Sequence, residues 1–172
     1  MSYGNNSFNS SYFINHQRII SANQCKDLGI IFTPSLRWSP HIDMIIIRAY
    51  KILGLIRRTF HTNCTNTKKK LYLSLVRSQL MYCSQLWRPN LIKDIFSLER
   101  VQRRTTKYIL SDYSTDYKSR LINLRLLPVM YMYELNDIIF SSNHASHPPK
   151  ISIFIIISLS LIHQPDFLRT PS

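Results

Sequence analysis

The chain has 172 residues, 45% of them hydrophobic, and its 22 Lys and Arg face only 9 Asp and Glu, for a formal net charge of +13. That length suits one core rather than two. The interleaving of apolar and aromatic residues with charge excludes a disordered basic tail, and a count of 3 Gly argues against phosphate-cradling loops and a turn-rich all-β fold. So large a positive excess on a chain with a core points to a polyanionic partner, either nucleic acid or an anionic membrane surface.

In chain order, residues 1–25 are polar and rich in Asn and Ser, with weak strand signals around Tyr12–Ile20. Their opening lacks a charged region followed by an apolar run, so no signal peptide is expected. KDLGIIF (Lys26–Phe32) reads as a strand between turn residues. Ser39-Pro40 is a helix start, with Ser as N-cap and Pro at the first helical position. From there Ile42, Ile45, Ile46, Ala49, Ile52, Leu53, Ile56 and Phe60 recur at helical spacing, so an amphipathic helix follows.

A second helix is expected from near Thr67 to Trp87. It is apolar on most sides, which suits the middle of a bundle. Arg88-Pro89-Asn90 breaks it, and LIKDIFSLERVQRRTTKYIL forms the next. Here Arg100, Arg103, Arg104 and Lys107 stand at i, i+3, i+4 and i+7, one positive stripe about two turns long. Asp112 and Ser114 are candidate caps for a short helix reaching about Leu126, and VMYMYELNDIIF, after Pro128, forms the last. The fold class is therefore mainly α: one or two short N-terminal strands, a bundle of four to five helices over 26–140, and an irregular or disordered tail over 141–172. The apolar run Ile151–Ile162 is shorter than the roughly 20 residues that span a bilayer, so no membrane span is expected.

Chemistry-bearing patterns are sparse. The odd and scattered Cys25, Cys64 and Cys83 define no disulfide framework, and a reducing, intracellular compartment (nucleus or cytoplasm) is expected. His61 and Cys64 lack a second pair at zinc-ligand spacing. Metal-dependent nucleotidyl transfer needs carboxylates close enough to hold two ions about 4 Å apart. The acids here show no such grouping, and Asp112 and Asp116 read as a cap and a first-turn acid. His41 reads as a partly exposed first-turn residue. No catalytic residue and no metal ligand is assigned. The basic residues remain. Lys68-Lys69-Lys70 sits at a helix start, where the dipole disfavours cations, and reads equally as a solvated run or as a contact to an anion. With Arg57-Arg58 and the stripe, it suits phosphate contacts that give affinity without sequence specificity.

Five segments in collinear order, KDLGIIFTPSLRWSPHI, RAYKILGLIRRTF, LYLSLVRSQLMYCSQLWRPN, LERVQRRTTKYIL and NLRLLPVMYMYELNDIIF, resemble the later part of a non-LTR (LINE-type, jockey-like) retrotransposon reverse transcriptase, from about Lys26 to Phe140. The resemblance implies that Leu28 and Gly29 belong to a primer-grip-like segment and that the following helices are a thumb that holds template and primer. It implies RNA or DNA as non-specific partner, and the palm and fingers of a parent polymerase as a second partner. It also implies that the parent uses Mg through an Asp-Asp motif that this sequence lacks, so no cofactor is expected here and the chain alone is expected to be inactive. Residues 141–172 depart from the family. An alternative reading is a basic helical protein-interaction module with no role in nucleic-acid binding.

Overall fold

The computed structural model describes residues 12–18 and 22–144. The expectations placed on 1–11, 19–21 and 145–172, the Ile-rich run among them, lie outside the described residues. The protein is mainly helical, with two short antiparallel strand pairs ahead of the helices.

Both strand pairs are hairpins. Phe13–Ile14 (β1) pairs with Gln17–Arg18 (β2), and Cys25–Asp27 (β3) pairs with Ile30–Phe32 (β4). The turn residues Asn15 and His16 have φ of 48° and 63°, and Leu28 and Gly29 have φ of 46° and 85°. Two successive positive φ values make a two-residue turn whose twist matches that of the flanking strands. Lys26–Phe32 is thus not the single strand expected. Gly29 enters the left-handed region at no steric cost and reverses the chain, which brings Ile30 into the core while Leu28 stays 81% exposed.

Ser39–Thr59 (α1) follows the expected periodicity, burying Ile42, Ile45, Ala49, Leu53 and Ile56. Ser39 is not its N-cap. The helix begins at Ser39, and that hydroxyl donates instead to Asp94 Oδ2 at 2.8 Å. His41 is also not part-exposed. It is buried, its ring edge-on to Trp87 at 5.2 Å, and its Nδ1 accepts from the Ile31 N–H at 3.3 Å.

The apolar helix expected to reach Trp87 unbroken is segmented. Thr65–Leu71 (α2) runs into π-helical turns over Tyr72–Arg77, then Ser78–Met81 (α3), and the chain breaks at Cys83 (φ 51°) before Ser84–Trp87 (α4). The break places Trp87 in the core, where its indole N–H donates back to Tyr82 O at 2.8 Å and its ring meets Tyr133 edge-on at 5.6 Å. Nor is this stretch buried on all sides. Lys68, Tyr72, Val76 and Leu80 face inward, whereas Leu75, Tyr82 and Leu86 are 42%, 52% and 51% exposed.

Ile92–Leu110 (α5) is one regular helix, as expected. It runs parallel to α1: Ser39 meets Asp94 at one end, Arg104 lies over Tyr50 midway, and Arg57 lies over Tyr108 at the other end. Tyr117–Leu124 (α6) is capped by Asp116, which accepts from the Ser119 N–H at 3.1 Å. Asp112, expected as a possible cap, instead organises the preceding turn by accepting from the Ser114 and Thr115 N–H groups at 2.9 and 3.2 Å. Val129–His144 (α7) extends four residues past the expected end at Phe140. It is started by a side chain from another helix: Glu99 of α5 accepts from the Val129 N–H at 2.9 Å, filling one of the open donors at a helix start.

Behind α5 lies a buried polar chain. Tyr72 OH donates to Gln102 Oε1 at 2.6 Å, Gln102 Nε2 donates to Leu127 O at 2.8 Å and to Tyr117 OH at 3.2 Å, and Tyr117 OH donates to Glu99. Burial raises the pKa of Glu99, Tyr72 and Tyr117 in this chain, and of Tyr133, whose hydroxyl donates to Leu80 O.

Candidate nucleic-acid interface

The C-terminal halves of α1 and α5 and the first turn of α2 converge on two tyrosines. Arg57 (α1) and Lys68 (α2) flank the Tyr108 ring, with the guanidinium carbon 5.6 Å and Nζ 5.0 Å from its centroid. Arg104 (α5) lies 5.5 Å from the Tyr50 ring. A ring face attracts a cation and fixes its position without neutralising it, so at the exposed Arg57 and Arg104 these contacts hold positive charge at the surface and leave it available to an anion.

Six of the described acids are engaged in other contacts, while Asp27 and Asp43 are exposed. Asp94 holds Ser39, Glu99 starts α7, Asp112 and Asp116 organise the α5–α6 connection, and Glu134 and Asp137 pair with Arg88 at 3.6 and 2.5 Å. Hydrogen bonds from the Thr115 and Ser114 side chains hold Asp112 well below the usual carboxylate range, and the Ser119 bonds lower Asp116 likewise. Both stay ionised at neutral pH, in turn and cap roles.

The structure divides the expected basic residues into two groups. Arg57, Arg58, Lys70, Arg100 and Arg104 are exposed, and Lys69 and Lys107 are half-buried. Lys68 is buried, and its Nζ donates to Ser111 Oγ at 3.1 Å and to Tyr108 O at 3.5 Å. It therefore satisfies the C-terminal end of α5, where the helix dipole favours a cation. That contact, made across to another helix, offsets the unfavourable position at the start of its own. Arg103 also turns away from the open stripe, lying 4.8 Å from the Tyr117 ring and facing Glu99.

Lys93 takes its place. At 100° per residue, Lys93, Arg100, Arg104 and Lys107 lie within a band about 60° wide along about 21 Å of α5. Lys93 is exposed. The i, i+7 spacing of Lys93 and Arg100 was the sequence signal for it. Leu28 and Gly29 sit at the tip of the β3–β4 hairpin, where Tyr82 OH donates to Leu28 O at 3.1 Å. Among the described residues no group of three or more His, Cys, Asp or Glu side chains is placed to hold a metal ion, and no helix is long and apolar enough to cross a membrane.

Set against protein-family models, curated proteins and solved structures, the chain finds no match.

Proposed function

We propose that this chain is the gripping part of a non-LTR-type reverse transcriptase and binds RNA or DNA along α5 without sequence specificity. The observation that carries the reading is the parallel α1–α5 pair, on which Arg57 and Arg104 are fixed over aromatic rings in line with Arg100, Lys107 and Lys93. Positive charge held over about 21 Å of rigid helix matches a charged strand better than a point anion. The collinear segment order supplies the polymerase ancestry, and the carboxylates that its chemistry needs are absent from the sequence. The palm and fingers of the parent enzyme are the protein partner this reading implies.

The test is retention of a thymine-only DNA oligonucleotide on filters across a salt series. Binding is expected to weaken linearly in log-log form, with a slope of about −0.7 per phosphate contacted. Arg57→Gln with Arg104→Gln should flatten that slope by about 1.4. An unchanged slope in a folded double variant overturns the assignment.

A second reading, a helical protein-interaction module, draws on the exposed Leu75, Tyr82 and Leu86. Sedimentation with and without RNA separates the two. Self-association or partner capture that ignores RNA, together with no salt-dependent retention, favours the module.

A further inference from the structure

Where α1 and α5 begin, the chain between β4 and α1 lies beside the start of α5 and the two border an open cleft of about 800 Å³. That volume is in the range of small-molecule sites. Trp38, braced edge-on by Phe32 at 5.7 Å, forms part of the wall. Exposed Arg37 and Lys93 contribute to the lining from the two strands of chain that meet there, with Asn90 beside them. Asp94 also lines the cleft and is only 6% exposed. Its Oδ2 accepts from Ser39, and Oδ1 receives no donor among the described residues and is not sealed from solvent.

These groups are of three chemical kinds: a flat aromatic ring, a buried carboxylate whose Oδ1 is open and whose Oδ2 keeps a second lone pair beside the Ser39 bond, and two exposed cations. A carboxylate repels phosphate but accepts from a base edge that presents donors, and guanine, with its ring N–H and exocyclic amine, presents two side by side. Adenine offers an amine next to an acceptor nitrogen, so one carboxylate oxygen would meet a lone pair. Trp38 can stack on either base.

The geometry points to this cleft as a site for a single unstacked guanine nucleotide, with the base against Trp38 and Asp94 and the phosphate between Arg37 and Lys93. The inference deepens the nucleic-acid reading, because Lys93 is at once the mouth of the cleft and the first cation of the α5 stripe. It adds a preference for one base to a surface that otherwise contacts only backbone.

Tryptophan fluorescence of the full chain reads the site directly, since the other indole, Trp87, is fully buried. Guanosine monophosphate should quench saturably and bind about tenfold tighter than adenosine monophosphate. Asp94→Asn, which keeps an acceptor for Ser39, should bring the two nucleotides to equal affinity, and Trp38→Phe should abolish the quench. If Asp94→Asn does not fold, Arg37→Gln with Lys93→Gln, both at exposed positions, should weaken the monophosphate and leave guanosine unchanged. Equal binding of both nucleotides by the unaltered chain overturns the proposal. So does a quench that inorganic phosphate reproduces, or one that survives Trp38→Phe. The thymine oligonucleotide assay contains no guanine, so failure of the stripe and failure of the cleft are read separately.

Discussion

Ile92–Leu110 and Thr65–Trp87 are neighbours in sequence and both pack against α1, but only the first is an uninterrupted helix. In α5 the apolar and basic residues fall on different faces, so the sequence already states which side turns inward, and a regular helix meets that demand. In Thr65–Trp87 apolar side chains occupy every face, and tertiary contacts decide. They select Lys68, Tyr72, Val76 and Leu80, spaced by four. At 100° per residue a spacing of four drifts by about 40° at each step. The wider π turns over Tyr72–Arg77 reduce that drift between Tyr72 and Val76, and all four remain buried. Amphipathic patterning thus yields regular geometry, whereas uniform hydrophobicity leaves geometry to the neighbours.

The most severe way to break the comparison is to remove the neighbour. Trp87 is the largest fully buried side chain, and it joins the broken stretch to His41 of α1 and Tyr133 of α7. Trp87→Ala is expected to cost about 3–5 kcal/mol in urea unfolding, a large aromatic-to-alanine change in a closed core. A loss near 1 kcal/mol would show that the turn at Cys83 is not organised around this indole.

That contrast also explains what was legible in the sequence. α1 and α5 could be read because Ile42 to Ile56 and Arg100 to Lys107 each repeat at helical spacing. The β3–β4 reversal was hidden because Leu28, a residue with no preference for positive φ, holds the first turn position, and only Gly29 signalled it. The αL residues Cys83 and Ser111 carried no signal. Buried Lys68 was unreadable for a different reason. Its partners, Tyr108 O and Ser111 Oγ, lie some forty residues away, and no local pattern encodes a helix C-terminus that arrives from elsewhere. Of the candidate interface, the stripe was legible as a periodicity. The division that sends Arg103 toward Glu99 and leaves Lys93 in line was not, because it depends on α6 and α7 covering one flank of α5.

The polar chain behind α5 provides a milder test of that regular helix. Burial raises the pKa of Glu99 above the ordinary 4.5, against the lowering effects of the Tyr117 hydroxyl, the Val129 N–H and Arg103. The folded chain holds this proton more tightly than the unfolded chain does. Its contribution to stability is therefore complete below about pH 4.5 and lost as pH rises through the raised value. Asp112 and Asp116 have the opposite sign. Their contributions are present above about pH 3.8 and lost as pH falls below it, so they do not change over the same window. Glu99→Gln, which cannot ionise, should remove the loss of stability that Glu99 brings as pH rises above about 4.5. Its urea midpoints should therefore gain on those of the unaltered chain as pH increases, while buried His41, whose lowered pKa acts in the opposite sense, is common to both. A difference between the two chains that does not change with pH would assign the pH dependence to another group.

The smallest expected effect falls on the outer side of the broken stretch. If its hydrophobicity were buried all round, Leu75→Lys and Leu86→Lys would place a charge in the core and unfold the chain. At 42% and 51% exposure both side chains already meet solvent, and each substitution should change stability by no more than about 0.5 kcal/mol. Val76→Lys, one position along and fully buried, is the matched control and should not fold. If Leu75→Lys proved as damaging as Val76→Lys, the π turns would not be setting which residues face inward. A clear separation between adjacent positions would show that an almost uniformly apolar segment has been given a definite inside and outside by the helices around it.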